Sequence, residues 1–450
     1  MMKTFPRGIH VGHKKEATQS LPIRKAALPK CVVLPLQQNL GVPAEAIVKV
    51  GDVVVEAQKI ADSAKFISAP IHAPIAGKVT KIEKRPTAAG TLIPSIVIEA
   101  AEDVSAATVG EIPPAPPAEN RRSWKDLDRD AIRKAVREAG IVGLGGATFP
   151  AHVKLSPPAE KKIDAVIING CECEPYLTVD HRLMLERPRD ILSGAGAIAR
   201  AVGAERIILG IENNKPDAIE VLRAEASKEG LSEVEIVSLK TKYPQGGEKM
   251  LIKAILGREV PSGGLPMEVG VVVHNVGTTV AIADALELGK PLIERVVTVT
   301  GSGVREPKNL LVRIGTSFAD VIEQCGGLTE DAAKVIMGGP MTGTAVSSLD
   351  VPVVKATSSI LVLGGKDAAT FVEGSCIRCG RCIKTCPVGL MPNYLADFTK
   401  QKNWERVEEY RVADCIECGC CAYGCPARIF LVQYFKVAKR ELQLRKAVCQ

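Results

Sequence analysis

The chain has 450 residues, of which 46% are hydrophobic and 24% are charged, and its net charge is +7 at pH 7. This composition is typical of a globular protein with about three domains of roughly 150 residues each. Aromatic residues make up only 4%, which argues against a base-stacking surface for nucleic acid. No run of about 18 apolar residues occurs, so the sequence predicts no membrane-spanning helix.

The first 30 residues are rich in basic side chains. They contain a single acidic residue, Glu16, and no apolar segment of the kind found in a signal peptide. We therefore expect the protein to remain in the cytoplasm. Residues 1–30 are predicted to form a basic N-terminal arm that lies on an acidic partner or an anionic lipid surface, or an extended, solvated leader.

Residues 31–105 alternate short β-branched runs with Gly and Pro turn signals, which predicts a small β domain. The pattern VKVGD followed by APIAGKV resembles the barrel-sandwich fold of biotinyl and lipoyl carriers. Lys65 lies near the hairpin tip where such carriers present a modified lysine, but the surrounding motif differs, and we expect a structural barrel without a swinging arm. Four prolines between 113 and 117 then predict a stiff proline-rich linker over residues 106–120.

Residues 121–290 alternate helical and strand patterns. Apolar spacing predicts a helix from Asp126 to Ala139 that ends at Gly140, and apolar runs predict buried strands at 163–169 and 206–211. A helix follows the second strand from Pro216. This alternation is typical of an α/β domain with a largely parallel sheet.

The part of the chain after residue 290 is predicted to contain three further segments before its end. Residues 291–345 form a small α+β unit, and residues 346–368 connect it to a domain at 369–428. A basic, amphipathic helix then follows over residues 429–450.

Nine of the 14 cysteines lie in one block between Cys376 and Cys425. The block contains C-x-x-C-x-x-C-x-x-x-C-P twice, which is the spacing of bacterial ferredoxins with two [4Fe–4S] clusters. In that arrangement the fourth cysteine of each run binds the cluster of the other run. We assign one cluster to Cys376, Cys379, Cys382 and Cys425. We assign the second cluster to Cys386, Cys415, Cys418 and Cys421.

A zinc site is the alternative interpretation of the cysteine block. Zinc sites use four thiolates in two pairs, and two runs of four that each end in Cys-Pro do not fit that pattern. Cys420 lies between two ligands and is predicted to be a spare thiol. The 28 residues between the two runs exceed what a ferredoxin requires, and they predict a helical insertion from Tyr394 to Val407.

Two segments of the α/β domain carry the residue types of a phosphate and nucleotide site. The glycine-rich stretch from Gly140 to Gly146, followed by Lys154, would let backbone amides approach a phosphate. A helix cap with a long turn is an equal alternative for this stretch. The second segment, NGCECEPY, places polar groups after a buried strand, where α/β sheets bind ligands. Its Cys171 and Cys173 could also hold a metal, but no second pair lies nearby in the sequence.

The segments GLGGATFPAHVKL, NGCECEPYLTVDHR, YPQGGEK and VVHNVGTT together resemble the flavin and NADH site of the flavin-bearing subunit of respiratory complex I. The resemblance implies that Gly143, Gly145, Gly146 and Lys154 face the phosphate or ribityl chain of FMN. It also implies flavin or nucleotide contacts for Asn169, Glu172, Glu174, Tyr243, Gly246, Glu248, Asn275 and Thr278. The sequence departs from that family at Cys171, Gly247, His274 and Gly277.

The order of the predicted domains extends the resemblance to nearly the whole chain. The opening FPRGIHV and the phrase VIMGGPMTG, together with barrel, linker, flavin domain, β-grasp unit and ferredoxin domain, resemble the C subunits of Rnf complexes. The predicted fold class is therefore multidomain α/β + β. It comprises an N-terminal barrel-sandwich (lipoyl-like) domain, an α/β flavin-binding domain, a small β-grasp unit and a two-cluster bacterial ferredoxin-like domain.

This resemblance implies a peripheral subunit of a membrane-bound, ion-translocating ferredoxin:NAD oxidoreductase on the cytoplasmic side of the inner membrane. Its partners would be the other subunits of the complex, including an iron–sulfur subunit, with ferredoxin reached indirectly. NAD(H) would exchange a hydride with FMN, and the flavin would exchange single electrons with two [4Fe–4S] clusters. Hydride transfer needs no protein nucleophile, so no catalytic residue is predicted. The alternatives are a subunit of a soluble NADH:ferredoxin-type oxidoreductase and a flavin-less iron–sulfur relay scaffold.

Overall fold

The computed structural model of the protein describes residues 2–101, 109–112, 120–228, 234–368 and 370–448. Most of the predicted proline-rich linker over 106–120 lies outside the described residues. The last two residues of the predicted C-terminal helix also lie outside them.

Residues 2–30 are built into the fold and do not form the free basic arm or solvated leader that the sequence predicts. Phe5 is buried, and Ile9 exchanges two backbone hydrogen bonds of 2.9 Å with Tyr243. Strand β1 (Ile23–Lys25) pairs in parallel with a strand at 308–313. The basic composition misled the prediction because the apolar side chains between the basic ones face the protein core.

Residues 31–100 form the predicted β domain. One antiparallel sheet has the order β2-β8-β7-β4 and a second has the order β3-β5-β6, and their apolar side chains share one core. The strands are β2 (Cys31–Pro35), β3 (Glu45–Ala46), β4 (Val53–Val54), β5 (Lys59–Asp62), β6 (Ile71–His72), β7 (Gly77–Pro86) and β8 (Leu92–Ala100). Lys65 lies exposed in the turn after β5. A short strand, β9 (Gly110–Glu111), follows and pairs with β1.

The α/β domain contains a four-stranded parallel sheet of order β12-β11-β10-β13, flanked by helices. Its elements are α1 (Arg129–Glu138), α2 (Ala151–Lys154), β10 (Ala165–Gly170), α3 (Val179–Glu186), α4 (Pro188–Val202), β11 (Arg206–Glu212), α5 (Pro216–Lys228), β12 (Val234–Leu239), α6 (Glu248–Leu256), β13 (Val271–Asn275) and α7 (Val276–Ala283). The order of strands reverses between β10 and β13. Ligands bind α/β sheets at such a reversal, outside the carboxyl ends of the strands.

The predicted helix from Asp126 to Ala139 begins three residues later than expected. The Asp128 side chain accepts a hydrogen bond from Ala131 N at 2.7 Å and therefore caps the first turn of α1. After the helix, Gly140 adopts a φ of 67°, a left-handed conformation that glycine adopts without strain. The buried side chains Ile132 and Val136 are four residues apart and so lie on one face of the helix.

The β-grasp unit extends beyond its predicted end at residue 345. Its elements are β14 (Glu294–Thr300), β15 (Lys308–Arg313), α8 (Phe318–Glu323), β16 (Ala332–Met337), β17 (Thr344–Ala345) and β18 (Ser359–Gly364). Strand β18 lies within the predicted connecting segment, yet it sits between β16 and β14 with all six residues buried. The sheet also recruits β1 and β9 at its other edge, giving seven strands. A continuous apolar run without alternation is what a central, doubly covered strand requires.

The cysteine block folds around short helices, and the predicted insertion from Tyr394 to Val407 is two helices. The elements are α9 (Arg381–Thr385), α10 (Pro392–Lys400), α11 (Trp404–Glu409), α12 (Cys420–Tyr423) and α13 (Leu431–Val448). The helical segment is interrupted between α10 and α11 because Lys402 adopts a left-handed backbone conformation, with a φ of 54°. Asn403 then caps α11 by accepting a hydrogen bond from Arg406 N.

Helix α13 is the predicted amphipathic C-terminal helix. Its apolar face packs on α10 through Phe435 and Ala438, which are buried. Its basic face is partly paired, since Lys446 lies 2.9 Å from Glu408, while Arg440 is exposed. None of the helices that the structure describes has the length and apolarity required to cross a bilayer.

Candidate functional site

Polar side chains gather at the reversal of strand order between β10 and β13. Asn169 lies near the end of β10, and Asn275 is the last residue of β13. Asn275 also caps α7, because its side-chain oxygen accepts from Gly277 N at 2.9 Å. The loop 171–178 leaves β10 at the same edge and carries Glu172 and Glu174. These residues meet because parallel strands end at one edge of the sheet.

The glycine loop closes over this edge. Leu144 N donates to Thr278 Oγ1 at 2.8 Å, which ties the loop to the first turn of α7. A Cβ at Gly145 would lie 3.2 Å from the Asn275 Cβ, so glycine permits the close approach. Gly146 adopts a φ of 115° and has no neighbouring atom where a side chain would begin. The loop thus presents bare backbone towards the cavity, as a phosphate or ring ligand requires.

A cavity of about 270 Å³ lies between the loop, the strand ends and the β-grasp unit. Seven of the twelve predicted flavin or nucleotide residues line it. They are Gly145, Gly146, Asn169, Glu172, Glu174, Gly246 and Asn275. Cys173 and Asp180 also line this flavin pocket, although neither was predicted as a site residue.

Gly143, Lys154, Tyr243, Glu248 and Thr278 were predicted as site residues and do not line the cavity. Gly143 N donates to Phe149 O at 2.9 Å and shapes the loop, and Thr278 holds it as described. Lys154 Nζ lies 2.6 Å from Glu248 Oε1 and donates to Val273 O, so these two charges satisfy each other. The residues that line the cavity include no lysine or arginine within the described part of the chain.

The β-grasp unit supplies the opposite wall of the pocket through its VIMGGPMTG segment. Glu174 accepts hydrogen bonds from Met341 N at 3.1 Å and from the Thr342 hydroxyl at 2.5 Å. A Cβ at Gly339 would lie 2.2 Å from Glu174 Oε2, so only glycine allows the carboxylate to reach this loop. The sequence pointed to this segment only through the family resemblance, because its separation from NGCECEPY hides the contact.

Burial shifts the acid–base behaviour of two pocket carboxyl groups. Desolvation, with the nearby charge of Glu172 adding to it, raises the pKa of Asp180 to about 7, although Asn275 Nδ2 donates to its carboxylate at 2.7 Å. Desolvation also raises the pKa of Glu174 above its usual value. Glu172 itself accepts from Asp180 N at 2.7 Å. The pocket therefore holds carboxyl and amide groups that can hydrogen-bond a polar ring and hydroxyl groups.

These features fit a flavin. The open backbone at Gly146 fits a phosphate or ribityl chain, and the carboxylates fit ribityl hydroxyls. Asn169 Nδ2 donates to Gly246 O at 2.8 Å and fixes the pocket wall there. The thiols of Cys171 and Cys173 also stabilise this part of the structure. Cys173 Sγ accepts a hydrogen bond from Gly246 N at 3.4 Å, and Cys171 Sγ donates one to Gly210 O at 3.7 Å. Their separate contacts point to packing and not to a shared metal.

The cysteines of the second predicted cluster converge in the fold. Cys386, Cys415, Cys418 and Cys421 all line one small cavity beneath Val432 and Phe435 of α13. In the first predicted cluster, burial raises the pKa of Cys382, and the neighbouring Cys425 and Cys376 add to the rise, so these three thiols lie near one another. Cys376 and Cys379 are exposed, whereas Cys418 and Cys421 are buried.

The spacing of these cysteines in the sequence is that of two cubane clusters and not that of a zinc site. The backbone also surrounds the sulfurs, since Leu390 N donates to Cys386 Sγ at 3.3 Å and Glu417 N to Cys415 Sγ at 3.4 Å.

The part of the ferredoxin domain around Cys386, Cys415, Cys418 and Cys421, here called the buried cluster lobe, contacts the wall of the flavin pocket. The part around Cys376, Cys379, Cys382 and Cys425 is called the outer lobe. Tyr243 OH donates to Cys418 O at 2.8 Å, and Cys420 Sγ donates to Tyr243 O at 3.9 Å. Cys173 and Met341 pack against this same group. Tyr243 is thus a buried contact between the flavin domain and the ferredoxin domain. Cys420, predicted as a spare thiol, is part of this contact.

Comparison with known protein families agrees with this architecture in chain order. Residues 3–103 match the RnfC barrel sandwich hybrid domain and residues 136–284 match the Nuo51 FMN-binding domain. Residues 296–345 match the SLBB domain and residues 375–429 match the 4Fe-4S dicluster domain. The predicted fold class is confirmed. The match of the first family from residue 3 fits the finding that residues 2–30 are part of the folded body.

Relatives of known name match nearly the whole chain. The C subunit of the proton-translocating ferredoxin:NAD(+) oxidoreductase complex of Clostridium ljungdahlii is 48% identical over 98% of this chain and 94% of its own length. The C subunit of the Na(+)-translocating complex of Acetobacterium woodii is 45% identical over 98% and 97%. An air-oxidized NAD+-reducing [NiFe]-hydrogenase has a TM-score of 0.49 at 21% identity, over 64% of this chain and 59% of that one.

The fold and the two sites define an electron-transfer subunit with an FMN-binding domain and a domain for two [4Fe–4S] clusters. The chain belongs to the family of C subunits of ion-translocating ferredoxin:NAD(+) oxidoreductase complexes, which is the RnfC family. The resemblance seen in the sequence is therefore confirmed.

Proposed function

We propose that this chain exchanges electrons between NAD(H) and ferredoxin as the peripheral RnfC component of an ion-translocating membrane complex. It would carry FMN and two [4Fe–4S] clusters and sit on the cytoplasmic side of the inner membrane. The observation that carries the proposal is the contact between the pocket wall and the buried cluster lobe: Tyr243 donates a hydrogen bond to Cys418 O and packs against Cys173, which lines the pocket. A pocket built this way would hold a two-electron cofactor beside a one-electron cofactor.

FMN, when bound, would supply the conversion between hydride transfer from NADH and single-electron transfer to a cluster. The chain's own residues bind and orient it. The glycine loop, from Gly143 to Gly146, would bind the phosphate or ribityl chain through backbone amides, and Asn169, Glu172 and Asn275 would bind polar atoms of the flavin. Glu174 is tied to Met341 and Thr342, so it holds the wall and does not act as a general base.

The remaining site residues take supporting roles in this proposal. Thr278 fixes the glycine loop, and Lys154 and Glu248 pair with each other beside β13. Gly246 belongs to the pocket wall, and Tyr243 connects that wall to the cluster lobe. No residue needs to act as a nucleophile, since a hydride passes directly between the two cofactors.

The two clusters would act in series. Cys386, Cys415, Cys418 and Cys421 would bind the cluster next to the flavin pocket, because they line one cavity and Cys418 accepts a hydrogen bond from Tyr243. Cys376, Cys379, Cys382 and Cys425 would bind the outer cluster, which faces solvent where Cys376 and Cys379 are exposed. Electrons would leave from there to an iron–sulfur partner subunit.

We also propose a revised division of the chain. Residues 2–30 clamp the domains together, residues 31–101 form the barrel, and residues 120–290 form the flavin domain. The β-grasp unit runs from 291 to 364, because β18 completes its sheet. The ferredoxin domain and α13 occupy the rest of the described chain.

The test is an anaerobic visible spectrum of the purified chain, reconstituted with FMN, iron and sulfide, before and after NADH is added. Loss of flavin absorbance followed by loss of iron–sulfur absorbance supports the route from NADH through FMN to the clusters. A spectrum with clusters that takes up no supplied FMN and does not respond to NADH would contradict the proposal. The chain would then be an iron–sulfur relay scaffold.

Whether the complex pumps ions is decided by its membrane partners. NADH-dependent reduction of ferredoxin by the assembled complex that collapses on addition of an ionophore distinguishes a coupled complex from a soluble NADH:ferredoxin-type oxidoreductase. An ionophore-insensitive reaction favours the soluble alternative.

A further inference from the structure

The least expected residue of the molecule is Lys15, a lysine of the N-terminal segment that is fully enclosed. Its side chain is about 5% exposed and lies beneath the loop that follows β10. Its Nζ donates to Glu172 O and to Glu174 O, each at 3.0 Å, and to Leu177 O. The Glu172 carboxylate lies 3.6 Å away from the same ammonium group.

An ammonium group has three donors, and here all three are used on one loop. Burying a cation costs free energy, and that cost is visible because desolvation lowers the pKa of Lys15. A methionine would fill the same volume without the charge. The contacts of Lys15 fix the path of a six-residue loop by its carbonyl groups, which no apolar side chain could do.

The loop that Lys15 holds is a wall of the flavin pocket. Glu172, Glu174 and Leu177 all line the cavity, and each is also a carbonyl acceptor of Lys15. A second buried lysine, Lys215, supports the start of the same loop by donating to Cys171 O at 2.7 Å. The loop therefore rests on two buried cations while its other side faces the ligand.

We infer that Lys15 is a positioning residue of the flavin site, which shapes the loop 172–177 and supplies a buried positive charge that favours the reduced flavin. This inference rests on the proposed function, since it requires FMN in the pocket. Reduced FMN carries more negative charge than oxidised FMN. No lysine or arginine lines the pocket among the described residues. The buried ammonium groups behind the loop are a source of compensating charge on this wall, and a low local dielectric strengthens their effect.

The test compares three variants of the full, cluster-reconstituted chain. Lys15→Met removes both the donors and the charge, and Lys15→Gln keeps two N–H donors without the charge. Lys14→Met is the matched control, because Lys14 is exposed next to it. For each protein, FMN binding is titrated by flavin fluorescence, and the flavin potential is measured against a reference dye. The two together give the affinities for oxidised and reduced FMN.

We expect Lys15→Met to weaken binding of oxidised FMN by at least tenfold and to lower the ratio of reduced to oxidised affinity by about a further tenfold. A tenfold change in that ratio corresponds to about 30 mV for a two-electron couple. Lys15→Gln should bind oxidised FMN within about threefold of wild type and still show the lowered ratio. Lys14→Met should match wild type in both measurements.

The inference is overturned if Lys15→Met keeps its clusters and binds both forms of FMN as wild type does. If Lys15→Met does not fold, Lys15→Gln decides: an unchanged affinity ratio overturns the charge effect, and a lowered ratio supports it. A wild-type chain that binds no FMN is a separate result, since it defeats the proposed function itself.

Discussion

The two ferredoxin runs have the same spacing and opposite surroundings. In the buried cluster lobe, here called the inner lobe, Cys418 and Cys421 are buried, and Cys418 contacts Tyr243 of the flavin domain. In the outer lobe, Cys376 and Cys379 are exposed to solvent. A motif that is duplicated in sequence has thus become an inner and an outer site. Because the two sets of cysteine ligands are equivalent, it is the surroundings of each cluster site that distinguish its proposed place in the order of electron transfer.

The inner and outer lobes also differ in charge. The inner lobe meets Tyr243, Cys173 and Met341, which are apolar or neutral. The outer lobe is ringed by exposed basic side chains around the exposed, apolar Ile377. These basic residues are Arg378, Arg381, Lys384 and Arg428. The apolar contact of the inner lobe at Tyr243 suits internal transfer, and a basic rim suits an acidic partner protein.

The largest expected effect comes from removing one ligand from each lobe. Cys418→Ser should abolish reduction of both clusters by NADH, because electrons would lose the site next to the flavin. Cys376→Ser should leave the inner cluster reducible by NADH while abolishing reduction of the outer cluster. Electron paramagnetic resonance of anaerobic samples, frozen after NADH is added, distinguishes these outcomes.

Cys31→Ser is the control for this pair, since Cys31 lies in the barrel far along the chain from both runs. It should leave both signals unchanged. If Cys376→Ser stops NADH from reducing the inner cluster, or Cys418→Ser leaves the outer cluster reducible, the order of the two sites is reversed or the clusters do not act in series.

The spacing of cysteines was sufficient to predict the lobes, but it could not predict which lobe is inner. That order depends on the contact between Tyr243 and Cys418, which are 175 positions apart in the chain. Local patterns likewise predicted the parallel sheet and the glycine loop. They failed for Lys15 and for β18, because charge suggested exposure for the first, and the second pairs with strands that are distant in sequence.

The second prediction concerns the rim of the outer lobe. Reversing two charges, in Arg378→Glu with Arg381→Glu, should slow electron transfer to an acidic iron–sulfur partner protein by about tenfold at low ionic strength. The difference should vanish near 0.5 M salt, where screening acts over a few ångströms. Stopped-flow absorbance measures the second-order rate constant.

Lys81→Glu with Lys84→Glu is the matched control for the rim, since it reverses two exposed charges on the barrel. This variant should keep the wild-type rate. NADH-dependent bleaching should be the same in all three proteins, because the flavin pocket is untouched. Equal slowing by both charge reversals would show that net charge, and not the rim, governs the encounter.

The third prediction concerns Asp180, a buried carboxyl group of the flavin pocket, and its effect on how stability depends on pH. The folded protein holds the proton of Asp180 more tightly than the unfolded chain does, since its pKa is raised from 3.8 to about 7. The stability that this proton provides is therefore complete below about pH 4 and is lost as the pH rises to about 7. Asp180→Asn should reduce the fall in melting temperature between pH 5 and pH 8, with each 1 kcal/mol worth roughly 2 to 4 °C.

Anaerobic thermal unfolding followed by circular dichroism measures this difference at both pH values. Asp126→Asn is the control because Asp126 is exposed, and it should keep the wild-type difference. A fall in melting temperature that is as large in Asp180→Asn as in wild type would mean that other buried acids, such as Glu212 with its pKa raised to about 6, dominate the pH dependence.

The smallest expected effect is on stability, at the contact between Tyr243 and the inner lobe. Burial raises the pKa of Tyr243, so its hydroxyl stays a donor to Cys418 O. Tyr243→Phe leaves that buried carbonyl without its donor and should cost about 1 kcal/mol of stability. Tyr423→Phe, at an exposed tyrosine, should cost nothing measurable in the same anaerobic melts.

The rate of cluster reduction by NADH should change by less than about twofold in Tyr243→Phe, because the packing of the ring, Cys173 and Met341 still holds the lobe against the pocket. A large loss of rate with little loss of stability would contradict this expectation. It would mean that one hydrogen bond sets the separation between the flavin and the inner cluster. The inner lobe would then owe its place in the relay to Tyr243 and not to its burial.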